Sequence, residues 1–232
     1  MTLIRNGGRD LCDLRRVHIV ERDFLRERGT SYLLSFGRTQ IVFSAFSDLG
    51  KGEDPAVDFT VSPSVLWEED NPFFQKKSAE NVLKKLVNFV VSAECFSIKG
   101  LCIECHVLQH DGGLSTAISL ACYHTLVSFF KSEIPTNVFN RVVGISCGVI
   151  KGNVAIDLDS QEFFQADVVF DWLFDEKGGI LGIPFFFSRE KEGISQDRVL
   201  NISQKAFLSA CDLFQISSEP SCLKNEKFFS KP

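Results

Sequence analysis

The patterning of this chain predicts an α+β fold, and three features carry the prediction: a strand, a helix and a pair of turns. Between Leu101 and Gln109, Leu101, Ile103, Cys105 and Val107 fall on one side while Glu104 and His106 fall on the other. That alternation is the period of a half-buried strand. Asp111-Gly112-Gly113 closes it, and from Leu114 onward Ala117, Ile118, Ala121, Leu126 and Phe130 recur at threes and fours. With Leu120, Cys122 and Val127 leaving little polar face, this predicts a buried helix. Further on, Lys151-Gly152-Asn153 and the run Asp175 to Gly179 each divide two apolar segments. They read as hairpin turns, and helices mixed with hairpin-linked strands give helices packed on mixed sheets.

In chain order, residues 1–16 form an irregular basic arm, followed by a domain over 17–219 and a loose polar tail over 220–232. Strands are predicted near 18–24, 31–36, 40–46 and 56–61, with a charged glycine turn at Arg26 to Gly29. The segment 63–78, containing WEEDNPFFQKK, predicts an exposed acidic loop. Val82, Leu83, Leu86, Phe89 and Val90 set a helix from Ala79 that ends before Cys95. After the central strand and helix come strands over 142–150, 154–159, 166–174 and 180–187. A last helix runs from about Ser195 to Phe214, with Val199, Ala206, Phe207, Ala210 and Phe214 on one side.

Composition narrows the function. The chain has 232 residues and a hydrophobic content of 44 %, with no run of membrane-spanning length and a charged amino terminus. A soluble intracellular protein with no membrane association is expected. Eight scattered cysteines predict reduced thiols rather than a disulfide framework. Cys102 and Cys105 lie three apart in a strand, hence on opposite faces, so no metal site is expected there. No cofactor is expected either. His18, His106, His110 and His124 lack ligand spacing and read as surface or partly buried side chains. The net charge of −5 argues against a free-standing nucleic-acid binder, and no basic stripe or aromatic stacking motif is visible. The 23 phenylalanines against 2 tyrosines suit a large core and extensive subunit contacts.

The chemistry concentrates at the Gly-Gly junction. A helix opening behind Gly112-Gly113 offers unpaired backbone N–H groups, a partial positive dipole and the Ser115 and Thr116 hydroxyls. Such a turn could hold a phosphate, and the same features also make an ordinary strand-to-helix turn.

The stretch HVLQHDGGLSTAISLACYHTLV resembles the central signature of the RNase PH family, whose phosphorolytic members carry a similar VLQ-DGG-Thr-Arg-Thr-Ala segment. Arg5-Asn6-Gly7-Gly8-Arg9 with Asp13-Leu14-Arg15-Arg16 resembles the family's opening. Gly29-Thr30-Ser31 through Val42 resembles its glycine-serine strand pair. Gly144 to Ile150 with Ala155-Ile156-Asp157-Leu158 resembles the later strand pair. The resemblance implies the family's two-lobed fold, with a weak internal strand-helix duplication.

It also implies a chemistry: cleavage of the terminal RNA linkage by inorganic phosphate, needing cations for phosphate and a carboxylic acid near the leaving oxygen or a metal ion. The arginine that active members place two residues after Gly-Gly corresponds here to Ser115, which has no bidentate charged grip. A second arginine corresponds to Asn81, with Lys84 and Lys85 one turn on. Asp157 and Glu162 match two positions of the D-L-x-x-x-E-D pattern, while its last aspartate is Phe163.

The expected function is therefore a non-catalytic RNase PH-like subunit of the eukaryotic RNA exosome ring, serving assembly and the RNA channel in 3′-5′ RNA processing and decay. Its implied partners are other RNase PH-like subunits in a hetero-hexameric ring, cap subunits, an associated nuclease and RNA. Its implied location is nucleus, including nucleolus, and cytoplasm. The alternative is an active phosphorolytic exoribonuclease in which Arg38, Lys84 or Lys85 holds phosphate beside Gly113, Ser115 and Thr116, and Glu162 is the acid. Arg5, Arg9 and Arg38 are expected as solvated surface charges that could line a channel.

Overall fold

The computed structural model describes residues 5, 8–22, 29–48, 56–61, 83, 85–87, 89–90, 100–131, 139–189 and 193–218. Strands β1 (Val17–Arg22), β2 (Gly29–Phe36) and β3 (Thr39–Ser47) form an antiparallel meander. β5 (Leu101–Gln109) pairs antiparallel with β3 and parallel with β4 (Ala56–Val61), giving the order β1-β2-β3-β5-β4. A parallel neighbour requires a crossover. Between β4 and β5, residues 83, 85–87, 89 and 90 are helical, with Leu83, Leu86, Val87 and Val90 buried and Lys85 exposed.

The predicted alternation in β5 is realised: Ile103, Cys105 and Val107 are fully buried while Glu104 and His106 lie half-buried on the opposite face. Helix α1 (Leu114–Phe129) packs on β2 and β3 on one side and on β6 (Val142–Ile150) on the other. That explains its lack of a polar face, since a helix between two sheets has no solvent side.

The second sheet has the order β7-β6-β8-β9, with β7 (Asn153–Ile156), β8 (Val168–Asp175) and β9 (Ile180–Ser188). Its pairings are all antiparallel, so only the first sheet is mixed. α3 (Gln196–Ser218) covers the far face of this sheet, where Phe170, Trp172 and Phe174 stack along β8 and Phe174 meets Phe207 at 5.6 Å. The layers therefore run sheet, helix, sheet, helix around a continuous apolar core.

One predicted strand is corrected. β7 stops at Ile156 rather than 159, Asp157 takes a left-handed conformation (φ 56°), and residues 160–165, between the two predicted strands, form a short helix. This helix, α2 (Ser160–Gln165), is started by a capping box. The Asp159 side chain accepts from the Glu162 amide at 2.8 Å, and the Glu162 side chain accepts from the Asp159 amide at 2.9 Å. The predicted acidic loop 63–78, the tail 220–232, Asn81 and Lys84 lie outside the described residues.

Candidate functional site

The Gly-Gly turn, the α1 start, the β7–α2 junction and the amino-terminal arm meet in one place. Gly112 and Gly113 both have positive φ, and neither tolerates a side chain. A Cβ on Gly112 would lie 2.1 Å from the Leu158 carbonyl oxygen, and one on Gly113 would meet Arg15 Nη2 and the Phe36 ring. Thr39 ties this turn to the first sheet, its hydroxyl donating to the Gly112 carbonyl at 2.6 Å and accepting from the Asp111 amide at 2.9 Å.

Ser115 does not present its hydroxyl at the helix start. It is buried, and its Oγ donates to Asp171 Oδ2 on β8 at 2.5 Å. Burial raises the pKa of Asp171 to about 6, with the Ser115 hydrogen bond acting in the opposite direction. Thr116 is buried as well. Two of the three residues read as a phosphate cradle thus face the interior. Above the third, Gly113, stands the guanidinium of Arg15, packed 4.8 Å from the Phe36 ring centroid.

The acidic residues are held by the arm. Asp157, 1 % exposed, accepts from the Arg15 amide at 2.8 Å, from Arg15 Nε at 2.9 and 3.0 Å, and from Arg9 Nη1 at 3.1 Å. Arg15 Nη1 also reaches the Asp111 carbonyl. Glu162 accepts a two-pronged grip from Arg5, Nε to Oε1 at 2.7 Å and Nη2 to Oε2 at 2.6 Å. Arg5 further donates to the carbonyls of Ile156 and Asp157, each at 2.7 Å. Arg9 bridges the group, 3.1 Å from Asp157, 3.8 Å from Asp159 and 3.4 Å from Glu162.

Arg5 and Arg9, expected in solvent, are instead internal. The Arg5 side chain is fully buried and that of Arg9 is 15 % exposed. Burial lowers the pKa of Arg9, and repulsion from Arg5 lowers it further. For Arg15 burial acts downward, but the Asp157 hydrogen bond and charge outweigh it and the pKa lies above the ordinary value.

Phe163 sits in a small apolar cluster with Ile150, Ala155, Leu158, Ala166 and Val169, against which Leu11 of the arm packs. Arg38 is exposed in the β2–β3 turn, beside Thr39, and Lys85 is exposed on its helical segment. Burial pushes the Cys105, Cys122 and Cys147 thiols up, so they sit as apolar core groups. Among the described residues, no three of His, Cys, Asp and Glu are arranged to hold a metal ion.

Of the residues singled out from the sequence, Asp157, Glu162 and Phe163 lie together beside the arm and Ser115 turns inward, while Asp171, Arg15 as the residue over Gly113, and the arm as the partner of the acids were missed. The one local signal available was D-x-x-E at Asp159 to Glu162, which marks a helix start.

Two sheets flanking α1, a Gly-Gly strand-to-helix turn and an acidic junction after the second sheet's first hairpin make up the RNase PH-like fold. No protein-family model matches the chain. Over 238 aligned residues it is 25 % identical to the Ribonuclease PH of Corynebacterium kroppenstedtii, covering 93 % of this chain and 92 % of that protein. Rice (Oryza sativa) Rrp46 superposes with a TM-score of 0.74 at 16 % identity, covering 95 % of this chain and 100 % of the rice chain. A chain of an archaeal exosome core superposes at 0.70 with 16 % identity, over 93 % and 91 % of the two chains. A chain of the Archaeoglobus fulgidus exosome, solved with RNA bound to its active site, gives 0.66 at 16 % identity, over 91 % and 92 %. This chain is thus similar in sequence to Ribonuclease PH and in fold to exosome proteins.

Proposed function

We propose that this chain is a non-catalytic, RNase PH-like subunit of an exosome-type ring, contributing to assembly and to the RNA path in 3′-5′ RNA processing and decay. One observation carries the reading. At the Gly-Gly turn and the acidic junction, the described groups that phosphorolysis would use are replaced or engaged: Ser115 is bonded to Asp171, Asp157 and Glu162 are bonded to arginines, and Phe163 is core. Phosphoryl transfer relies on positioned cations and an available acid. Losing one charged contact of this kind costs on the order of a hundredfold in rate. The similarity to Ribonuclease PH and to exosome chains supports the family side of the reading.

In this reading the chain's partners are other RNase PH-like subunits, with cap subunits and a nuclease bound to the assembled ring, and it resides in nucleus and cytoplasm. RNA contact falls to exposed cations such as Arg38 rather than to the Gly-Gly turn. Native mass spectrometry of the tagged chain, purified from its own cells, tests it. The expected species is a hetero-oligomer containing other RNase PH-like chains. A homohexamer of this chain alone would favour the active exoribonuclease.

A further inference from the structure

We propose that Asp157 and Glu162 serve in this chain as anchors for its own amino-terminal arm, and that the former acid position has become part of the surface on which the arm docks. The inference goes beyond ring assembly and stands without it.

Two independent halves of the surface point the same way. The charged half takes three guanidinium groups from the arm. Arg5 grips Glu162, Arg15 grips Asp157, and Arg9 spans Asp157, Asp159 and Glu162. Both oxygens of Asp157 and both of Glu162 have arginine partners. The apolar half is the Phe163 cluster, where Leu11 packs and where the Leu11 carbonyl accepts from the Ile156 amide at 2.8 Å. An aspartate at position 163 would place a charge in this apolar half. Phenylalanine there favours docking instead.

The contacts also cross the molecule. Arg15 lies directly before β1 of the first sheet, yet it reaches the Asp111 carbonyl at the Gly-Gly turn and Asp157 and the Leu158 carbonyl beside the second sheet. The arm is therefore a strap joining the two sheets at the turn. Its counter-ions are internal to the chain, so the acidic pocket needs no added cation.

Two near-isosteric variants separate this role from simple stability. Asp157→Asn keeps a residue that tolerates the left-handed backbone, and Glu162→Gln keeps a side chain able to complete the capping box. Each removes the charge that the arginines recognise. The readout is trypsin cleavage after Arg9, Arg15 and Arg16 in the folded full chain, compared with a free peptide spanning residues 5–22. In the wild type the arm sites are expected to be cut about a hundredfold more slowly than in the peptide, because cleavage awaits local opening. The double variant is expected to lose about tenfold or more of that protection while sites in α3 stay protected.

Cutting of the wild-type arm at the peptide's rate would overturn the proposal. So would unchanged arm protection in a folded double variant. If the double variant does not fold, Asp157→Asn and Glu162→Gln are read singly in its place, and unchanged arm protection in the folded single variants would overturn the proposal. Manganese at millimolar concentration is expected to leave the arm protected. Release of the arm by manganese would also overturn the proposal, because it would make the pocket a cation site.

Discussion

Phe163→Asp restores in name the carboxylate of the D-L-x-x-x-E-D pattern, and its expected effect is loss of stability without gain of activity. Phe163 is 9 % exposed and packs with Ile150, Ala155, Leu158, Ala166 and Val169. Removing a buried phenylalanine side chain costs about 3–5 kcal/mol, and a carboxylate left there without a partner adds to that. The sum is a large part of the 5–15 kcal/mol by which domains are usually stable. Urea unfolding followed by circular dichroism measures it, with Phe163→Leu as an apolar control expected to cost about 1 kcal/mol. The chemistry is measured by combining Phe163→Asp with Ser115→Arg. An arginine at 115 starts from a buried position beside Asp171, so it pairs inward rather than offering a grip to phosphate. A Phe163→Asp chain with the wild-type midpoint, or phosphorolysis by the double variant, would refute the reasoning.

Other expectations follow from the same contacts. Ser115→Ala leaves the buried Asp171 carboxylate without its hydroxyl donor and is expected to cost about 1–2 kcal/mol in urea unfolding. Gly112→Ala places a Cβ against the Leu158 carbonyl in a left-handed backbone and is expected to cost about 2 kcal/mol or more, read as a fall in Tm. Asp171 has a folded pKa of about 6, above its ordinary 3.8. Its contribution is therefore full below the ordinary value and is lost as pH rises through about 6, and Asp171→Asn should remove that part of the stability profile. His124 behaves oppositely. Burial lowers its pKa to about 4, so its contribution is present above 6.5 and is lost as pH falls toward 4, a slope that His124→Gln should flatten.

The parts of the fold legible in the sequence were those set by local periodicity. β5 alternates cleanly because one face is core, and α1 reads as a buried helix because both sheets enclose it. The hairpin at Lys151 to Asn153 was legible from its turn residues, which match the β6–β7 pairing. The α2 helix was not, because the sequence pattern carries the strand to Asp159 and assigns Glu162 to the D-L-x-x-x-E-D motif, whereas the two side chains together cap a helix. The roles of Arg5, Arg9 and Arg15 were hidden for a different reason. Their partners lie 142 to 157 positions away, and only the tertiary fold brings them together. An arginine in an irregular arm looks like any surface charge until a buried carboxylate is found opposite it. The same distance effect hid Asp171, 56 positions from the serine it holds.

Phosphorolysis by the purified, folded chain tests the central claim most directly. A 5′-labelled RNA with a free 3′ end is incubated with inorganic phosphate and magnesium, and shortening and nucleoside diphosphate release are followed together. No phosphate-dependent shortening is expected from a chain whose circular dichroism shows it folded. Shortening that depends on phosphate and matches diphosphate release would contradict the account and mark the chain as an active exoribonuclease.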